Sequence, residues 1–253
     1  MRLLLSPYAS PAANAALEEH LHREGSPTLL FYRNAPCVVI GRNQNPFREV
    51  NLRWCRAHAL PVIRRFSGGG AVYHDDGNLN YAFIVPRDAY QPDRYVGIAL
   101  AALHSLGASD AVIGMHHGIF IGDRKCSGSA FALNAKTALL HGCLLVSADL
   151  GRLHDALAMP PYEFAGGGIA SVRSPVANLS AYIPGLEPER LRDVLIREAE
   201  NALGCRLRQE DVPAVGTELL EKYAGDAWNF GATPAFTVRI NGTLFTVRKG
   251  NWP

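Results

Sequence analysis

The chain has 253 residues, of which 48% are hydrophobic and 19% charged, a composition typical of a soluble globular protein rather than a disordered or fibrous one. This length allows one large domain with a sizeable core, with or without a small appendage. A formal net charge of +2 and short, interrupted groups of arginines do not indicate a nucleic-acid or membrane partner.

The cysteine pattern and the N-terminal sequence indicate the cellular compartment in which we expect the protein. The five cysteines are scattered without a C-x-x-C pair, so a disulfide framework or a zinc knuckle is not expected. The first apolar run is broken by Pro7 and Pro11, which makes it too short for a signal peptide. No other window approaches the length of a membrane span. We therefore expect a cytoplasmic protein.

The first quarter of the chain alternates helical and β patterns. Leucines four residues apart predict an amphipathic helix over residues 12–23. Residues 28–41 contain two β-rich runs around a turn, which is typical of a hairpin. Residues 48–58 predict a helix, and residues 60–65 predict a strand that leads directly into three glycines.

The pattern after the glycines predicts a hairpin and then a helix. Residues 71–74 and 79–86 read as strands joined by a turn over 75–78, and together they would form a small antiparallel unit. Residues 91–106 fit a helix that ends at Gly107.

The second half of the chain continues this mixed order. Residues 113–121 and 139–147 predict strands that are joined by an irregular segment over 122–135. Further helices are expected at 150–159 and 187–203, and the stretch between these two helices is rich in glycine.

The last pattern is a hairpin over residues 236–247, centred on Asn241-Gly242, which favours a type I′ turn. The order of elements and the lack of internal repeats predict an α+β fold with mixed or antiparallel sheets flanked by helices. We expect a main domain over residues 1–235 and a short C-terminal hairpin over 236–253, as a remnant or the start of an accessory domain.

The glycine loop, residues 67–70, is the first candidate for a binding site. Its sequence is Ser67-Gly68-Gly69-Gly70, and a run without Cβ atoms lets backbone N–H groups converge on an anion. It is neither a Walker A loop nor a G-x-G-x-x-G motif. A turn that binds nothing is an equally good interpretation of the glycines alone.

The surrounding residues carry a family resemblance. The stretch IRRFSGGGAVYHDDGNLNYAFI resembles the signature of the lipoate-protein ligase and lipoyltransferase family, within the biotin/lipoate protein ligase superfamily. Four further blocks are similar to the family in the same order, and the whole set spans residues 3–235; the blocks cover 41–52, 122–131, 141–150 and 166–179. The resemblance implies a class II synthetase-like biotin/lipoate ligase catalytic domain.

The resemblance also implies a set of site residues. The lysine at position 125 would contact both the lipoate carboxylate and the adenylate phosphate, although a surface lysine is the ordinary interpretation of such a residue. An ammonium there would lower the repulsion between two reacting anions. The residues implied to bind the nucleotide or line its site are Arg65, Ser67, Gly68, Gly69, Gly70, Ala71, Val72, Tyr73, His74 and Asn78, together with Lys125.

Other reactive side chains near this lysine receive structural interpretations. Cys126 could form a thioester, as in the related octanoyltransferases, but a buried residue at a strand edge is the favoured interpretation. His141 is interpreted as structural. We argue against a metal pair at His116 and His117, because neighbours in a strand point to opposite faces. No metal-ligand set can be assigned.

Three departures from the family pattern bear on the activity. His117-Gly118 stands where the family has Asn-Asp, which removes a carboxylate that could hold magnesium pyrophosphate. Residues 166–168 are glycines where the family has a lysine. Compared with the bacterial ligases that it resembles, the sequence is expected to contain only the first hairpin of their C-terminal domain.

These features predict a lipoate-protein ligase that uses ATP, Mg²⁺ and lipoate, forms lipoyl-AMP, and transfers the lipoyl group to a lysine of a lipoyl-domain acceptor protein. One alternative is a lipoyltransferase that uses preformed lipoyl-AMP. Another is a catalytic subunit that needs a separate C-terminal-domain partner, and the third is a non-catalytic carrier. Neither a nucleic acid nor a membrane is expected as a partner.

Overall fold

The computed structural model describes residues 1–251, in which fourteen strands and eight α-helices are present. The strands are β1 (Arg2–Leu5), β2 (Thr28–Tyr32), β3 (Cys37–Ile40), β4 (Val62–Arg64), β5 (Val72–His74), β6 (Asn78–Pro86), β7 (Ala111–Ile113), β8 (Ile119–Ile121), β9 (Arg124–Leu133), β10 (Thr137–Leu145), β11 (Glu163–Gly166), β12 (Arg208–Gln209), β13 (Phe236–Ile240) and β14 (Thr243–Val247). The helices are α1 (Pro11–Glu24), α2 (Pro46–Glu49), α3 (Leu52–Ala57), α4 (Pro92–Ser105), α5 (Leu150–Ala156), α6 (Pro188–Leu203), α7 (Thr217–Ala224) and α8 (Asp226–Asn229).

Eight strands form the main sheet, in the order β12-β1-β2-β6-β10-β9-β8-β7. Strand β1 is parallel to both of its neighbours, and the other pairs are antiparallel. The sheet is therefore mixed, and helices cover it. This arrangement confirms the predicted α+β fold class.

The two faces of the main sheet are covered differently. On one face, Phe83 and Tyr81 pack with Val96 of α4 and Leu191 of α6 in the largest apolar cluster. On the other face, Leu17 and Leu21 of α1 pack against Leu30, Ile84 and Leu139. Helix α1 covers only part of this second face, and the rest is available to a second layer.

That second layer is a three-stranded sheet in the order β4-β3-β5. The predicted hairpin over 28–41 is wrong, because β2 pairs in the main sheet and β3 in the small one. The predicted antiparallel unit over 71–86 is wrong for the same reason, since β5 pairs with β3 and β6 pairs with β2 and β10. Each short connection crosses from one sheet to the other.

The two crossing connections, residues 33–36 and 75–77, lie side by side. Tyr32 is in register with Asn80 in the main sheet, and Cys37 is in register with His74 in the small sheet. The two sheets are therefore joined twice at the same edge of the space between them. We call these connections the paired links.

Three further predictions are corrected by the structure. Residues 113–121 are not one strand, because a 3-10 turn at Met115–His117 separates β7 from β8. The segment 122–135 is not irregular but contains β9, whose small polar residues lack a strong strand pattern and pair with β8 and β10. The helix over 48–58 is divided into α2 and α3 at Val50.

Other elements form as the patterns predict. Helices α1, α4 and α6 match their predicted ranges within two residues. Strands β13 and β14 form the expected hairpin, in which Asn241 has φ 49° and Gly242 has φ 82°, as a type I′ turn requires. The hairpin adds to β11 in a third sheet, within the segment expected to be only a glycine-rich loop.

Candidate active site

A cavity of about 670 Å³ lies between the main sheet and the small sheet. Asn80, Cys143 and Gly128 contribute to its wall from the main sheet, and Val39 and Val72 from the small sheet. The glycine loop and Lys125, which are far apart in the sequence, both belong to this wall. The fold thus brings them into one cavity, and their roles there stay predictions.

The side chain of Arg65 holds the glycine loop in its conformation. Its Nη2 donates to the carbonyl oxygens of Gly68 at 2.6 Å and Gly70 at 2.8 Å, and its Nε donates to Ser67 Oγ at 3.1 Å. Burial lowers the pKa of the guanidinium to about 10, so it stays charged at neutral pH. Arg65 thus binds the loop carbonyls and adds positive charge behind the loop.

This clamp turns the carbonyl groups of Gly68 and Gly70 toward Arg65, and the N–H groups of the loop stay available. Within residues 1–251, the N–H groups of Gly68, Gly69 and Gly70 donate to no protein acceptor. Gly69 has φ +88°, and a Cβ there would lie 2.7 Å from Arg65 Nη2. Only glycine fits this position, and the three free donors suit an anion.

Lys125 lies at the start of β9, where residues 175–177 fix its backbone. Its N–H donates to the Pro175 carbonyl at 2.8 Å, and its carbonyl accepts from Ala177 at 3.2 Å. Burial lowers the pKa of the ammonium, and within the described residues no carboxylate forms an ion pair with it. A half-buried cation without a counter-ion in a cavity wall is a site for an anionic ligand.

Gly118 provides space for the side chain of Lys125. A Cβ at position 118 would lie 2.8 Å from Lys125 Cε. The glycine found where the family has an acidic residue therefore has a local physical role. With this backbone, any side chain at 118 has to displace the lysine.

Residues 166–172 form a loop that covers part of the cavity. Gly166, Gly167 and Gly168 have φ values of 73°, 81° and 94°, a conformation that a lysine would adopt only with strain. Ser171 Oγ accepts from the N–H of Ala71 at 3.0 Å and from Gln44 Nε2 at 2.9 Å. Ser171 thus joins this loop to the end of the glycine loop.

A buried chain of hydrogen bonds runs from the glycine loop to α1. Ser67 Oγ lies 2.8 Å from His141 Nε2, and His141 Nδ1 lies 3.0 Å from the Glu18 carboxylate. Tyr32 also donates to Glu18 at 3.0 Å. The tautomer of His141 with its proton on Nδ1 donates to Glu18, and its Nε2 then accepts from the Ser67 hydroxyl. The chain fixes the loop relative to the cavity floor.

The structure brings most of the expected site residues to one place. The expected residues that line the cavity are Arg65, Gly68, Gly69, Gly70, Ala71, Val72, His74 and Lys125. Ser67, Tyr73 and Asn78 do not line it. Tyr73 packs in the core of the small sheet, while Asn78 bonds to the Asp75 N–H and to Cys143 Sγ.

Several wall residues were not found from the sequence. Glu18, Asn80, Cys143 and Ser171 line the cavity, as does His141, which was interpreted as structural. Their positions depend on strand pairing and on the long-range approach of α1, for which single residues give no local signal. The pair His116 and His117 lies in a 3-10 turn rather than a strand, and both residues line the cavity.

The two cysteines near the site, Cys126 and Cys143, are thiols whose pKa is raised by burial. Cys126 is fully buried in the apolar cluster, as expected, although β9 is an interior strand and not an edge. Burial raises the pKa of Cys126 to about 11 and that of Cys143 to about 12. A thiolate is the reacting form, so this environment does not favour a thioester at either position.

The cavity does not supply a metal-binding group of its own. In residues 1–251, no cluster of three His, Cys, Asp or Glu side chains could hold a metal ion. Glu18, the acidic residue on the wall, is already bonded to His141 and Tyr32.

Within residues 1–251, no helix has the length and hydropathy to span a membrane.

The family described as the lipoyl protein ligase A/B catalytic domain matches residues 10–200 of this chain. The chain belongs to this family. Among solved structures, Thermoplasma acidophilum protein Ta0514 with bound lipoic acid is 27% identical with a TM-score of 0.79, over 91% of this chain and 99% of that one. A lipoate-protein ligase A bound with ATP is also 27% identical, with a TM-score of 0.78, over 90% of this chain and 97% of that one.

A third similar structure describes an assembly. It is a bi-partite lipoate protein ligase from T. acidophilum, reported with its E2 lipoyl domain. It is 27% identical, with a TM-score of 0.78, over 90% of this chain and 95% of that one. The part of the chain that matches the family includes α1, the small sheet, the glycine loop, Lys125 and the 166–172 loop.

Proposed function

We propose that this chain is a lipoate-protein ligase, which activates lipoate with ATP and transfers the lipoyl group to a lysine of a lipoyl domain. The observation that carries the proposal is the unpaired ammonium of Lys125, which shares one cavity with the free N–H groups of the glycine loop. Similar structures hold lipoic acid or ATP, which supports both substrates.

In the first step, a carboxylate oxygen of lipoate attacks the α-phosphorus of ATP. A new oxygen–phosphorus bond forms, the bond to the β-phosphate oxygen breaks, and pyrophosphate leaves. Lys125 lowers the repulsion between the carboxylate and the phosphate, while the N–H groups of Gly68, Gly69 and Gly70 donate to phosphate oxygens. Arg65 adds charge behind these donors and keeps them oriented.

In the second step, the amine of the acceptor lysine attacks the carbonyl carbon of lipoyl-AMP. The amide bond forms, the carbon–oxygen bond to AMP breaks, and the amine proton passes to solvent or phosphate. The mixed anhydride must be kept from water until the acceptor arrives. The 166–172 loop, which Ser171 joins to Ala71 and Gln44, is positioned for this protection.

Mg²⁺ belongs to the proposal as the counter-ion of the ATP phosphates. The wall residues do not form a carboxylate ligand set for it, so we assign no step of the reaction to a protein-bound metal. We also propose a cytoplasmic location, which the five free cysteines of the described residues support. The division into a domain over 1–235 and a hairpin over 236–253 stays a prediction, and residues 252 and 253 lie outside the described part.

The test is an assay of both steps with the purified chain. Lipoate, ATP, magnesium and an apo lipoyl domain are mixed, and the mass of the acceptor and the release of pyrophosphate are followed. We expect one lipoyl group on the acceptor. Lys125→Ala should lower the rate of pyrophosphate release by at least about a hundredfold, as loss of one charge-stabilising donor does. The matched control is Lys136→Ala, because Lys136 is exposed in the turn between β9 and β10.

A second candidate is a catalytic subunit that needs a partner for activation. The bi-partite composition of a structure 27% identical to this chain favours it. In that case, the chain alone would transfer the lipoyl group from synthetic lipoyl-AMP but release no pyrophosphate from ATP. A lipoyltransferase would give the same result. Addition of a separate C-terminal-domain protein distinguishes the two, because it would restore pyrophosphate release only for the subunit that needs a partner. An unmodified acceptor in every arm would refute the ligase and both alternatives.

A further inference from the structure

The turn between β7 and β8 places two histidines in the wall of the cavity. These residues, His116 and His117, have φ values of 54° and 55°. This left-handed conformation is unfavourable for a residue with a Cβ atom. Residues held in it by the surrounding structure cluster at functional sites. Two of them in succession indicate that the turn has a role in the site.

Hydrogen bonds on both sides hold this turn in place. The N–H of Gly114 donates to the carbonyl of Gly118 at 2.8 Å, and the N–H of Gly118 donates to the carbonyl of Met115 at 3.1 Å. Ser129 Oγ, on β9, donates to the carbonyl of His117 at 2.8 Å. The backbone that carries the two histidines is therefore closed on itself and attached to the main sheet.

The turn lies beside Lys125, on the side of the cavity that is open to a protein. Gly118 directly follows His117, and a Cβ at Gly118 would lie 2.8 Å from Lys125 Cε. Met115, at the other end of the turn, is 73% exposed. Under the proposed function, Lys125 marks the junction between the acyl carbonyl and the phosphate. The acceptor lysine has to reach this junction from solvent, past the turn.

The acceptor lysine needs a base before it reacts. Its ordinary pKa is about 10.4, so roughly one lysine in 2,500 is uncharged at pH 7. An ammonium has no lone pair with which to attack a carbonyl carbon. A positioned general base typically raises the rate of such a step by about 10² to 10⁴. A group that takes up a proton at the cavity rim would therefore accelerate transfer.

Three other side chains of the wall are of a type that accepts protons, and all three are unsuited. The Glu18 carboxylate and both ring nitrogens of His141 already have hydrogen-bond partners. Burial, with smaller contributions from nearby charges, lowers the pKa of His74 to about 3. That ring does not take up a proton at neutral pH. Within the described residues, the histidines of the turn are the remaining wall groups of this type.

A carboxylate distinguishes His117 from His116. His117 Nε2 lies 3.3 Å from Asp93 Oδ1 at the start of α4, and the side chain of His117 is 37% exposed. A hydrogen bond from Nε2–H to this carboxylate leaves the lone pair on Nδ1, and the carboxylate stabilises the imidazolium when it forms. Of the elements packed against the turn, α4 faces His117 with Asp93, and β9 places Lys125 beside the adjoining Gly118.

We propose that His117 is the base that removes a proton from the acceptor lysine in the second step. The ammonium gives one proton to Nδ1, and the lone pair that is freed forms the bond to the carbonyl carbon of lipoyl-AMP. The carbon–oxygen bond to AMP breaks. The remaining surplus proton of the amine passes to solvent or phosphate, and the imidazolium returns its proton to solvent. This inference rests on the proposed function and adds a catalytic residue to its transfer step.

The test measures transfer from synthetic lipoyl-AMP to an apo lipoyl domain in a single turnover at pH 7. The main variant is His117→Asn, because asparagine tolerates the left-handed conformation and does not act as a base. We expect transfer to the lysine to slow by about a hundredfold. Pyrophosphate release from lipoate and ATP should be unchanged, because no lysine of the acceptor takes part in that step.

A second nucleophile separates loss of a base from loss of structure. Hydroxylamine is uncharged at neutral pH, so it attacks lipoyl-AMP without prior loss of a proton. His117→Asn should form the hydroxamate at the rate of the unaltered chain, measured against a blank without protein. With the lysine acceptor, the rate of the variant should rise about tenfold per pH unit, as the uncharged fraction of lysine does. The unaltered chain should show a less steep dependence.

The matched control is His154→Gln, since His154 is exposed on α5 and outside the cavity wall. It should transfer at the unaltered rate. His117→Gln is measured as a second variant, in case His117→Asn does not fold, and should also be slow. His116→Gln is compared with it. A decrease in His116→Gln as large as that in His117→Asn would overturn the assignment to His117.

Two further outcomes would overturn the inference alone. One is an unchanged rate of transfer to the lysine in both folded His117 variants. The other is an equal decrease with lysine and with hydroxylamine, which would show a structural role. If the unaltered chain transfers the lipoyl group to neither nucleophile, the proposed function fails and the inference fails with it.

Discussion

Gly118 leaves the space that the side chain of Lys125 occupies, so its size should affect the rate of the proposed reaction. Because a Cβ at position 118 would lie 2.8 Å from Lys125 Cε, Gly118→Ala should displace the end of this flexible side chain. We expect pyrophosphate release to fall about tenfold or more, since a shift of this size misplaces the charge. The unfolding temperature should change little, because the lysine can move. Gly97→Ala, where a Cβ meets nothing within 4 Å, is the control.

The lowered pKa of Glu19 predicts that part of the free energy of unfolding depends on pH. Burial raises its pKa, but hydrogen bonds from Lys222 and Tyr223, both at 2.6 Å, outweigh burial and hold the pKa below its usual value of 4.5. A depressed carboxyl pKa stabilises the fold above the unfolded-state value, and this contribution is lost as the pH falls through the folded-state value. Glu19→Gln should lower the free energy of unfolding by about 2 kcal/mol at pH 7.

The difference in free energy of unfolding between Glu19→Gln and the unaltered chain should become smaller below pH 4.5. Urea unfolding at several pH values measures this difference. The matched control is Glu221→Gln, an exposed carboxylate on the same helix as Lys222. Its effect should be small at every pH. A constant gap for Glu19→Gln down to pH 3.5 would contradict the assigned pKa direction.

How far the sequence predicts single site residues depends on whether their role is local. The glycine loop and Arg65 are adjacent in the chain, and Lys125 is part of an ordered motif, so the pattern was sufficient for them. Glu18 and Asn80 come to the cavity through helix packing and strand register. Neither residue differs in sequence context from an ordinary core or surface residue, so no pattern identified them.

At the scale of elements, the hairpin of β13 and β14 is attached to the rest of the chain by apolar packing. Phe236 is 3% exposed, and its ring centroid lies 5.7 Å from that of Phe47 and 5.9 Å from that of Phe164. Phe236→Ala should lower the free energy of unfolding by about 3 kcal/mol through loss of this contact and the cavity left behind. Leu244→Ala on β14 is the control, because Leu244 is 59% exposed.

Chemical unfolding followed by fluorescence and circular dichroism checks this prediction. A decrease for Phe236→Ala no larger than that for Leu244→Ala would show that the hairpin packs only loosely on β11. The acyl-transfer rate of the folded variant is measured in parallel. It reports whether the hairpin contributes to the 166–172 loop, since a Cβ at Gly167 would lie only 2.6 Å from Phe236 Cβ.

The sequence predicts elements better than it predicts their pairing. Helices α1, α4 and α6 carry their own periodic pattern and caps, so their bounds follow from local residues. Strands β2 and β3 were expected to pair because a short turn joins them. They enter different sheets because each pairs more extensively with a distant strand, β2 with β1 and β6, and β3 with β4 and β5.

At the scale of the whole molecule, ligand binding should join the layers around the cavity. A non-hydrolysable analogue of lipoyl-AMP would contact the main sheet, the small sheet and the 166–172 loop at once. At a hundred times its dissociation constant, it should stabilise the fold by about 2.7 kcal/mol. For a chain of this length, this corresponds to a rise in melting temperature of roughly 5 °C.

Differential scanning fluorimetry measures the rise in melting temperature with the analogue, with AMP alone and with lipoate alone. The analogue should give a larger shift than the other two together, because it occupies both ends of the cavity. Lys125→Ala should reduce the shift, while Lys136→Ala should not. Equal shifts for AMP and the analogue would show that the acyl chain lies outside the cavity.

The paired links have a consequence for the route of the substrate. Residues 33–36 and 75–77 close one edge of the space between the sheets. Under the proposed function, we therefore expect a long acid to enter with its tail leading, toward this closed edge. Its carboxylate then comes to rest beside Lys125, nearer the rim. A nucleotide already seated on the glycine loop would stand in the path of the tail, so the architecture favours an ordered sequence in which the acid is loaded before ATP.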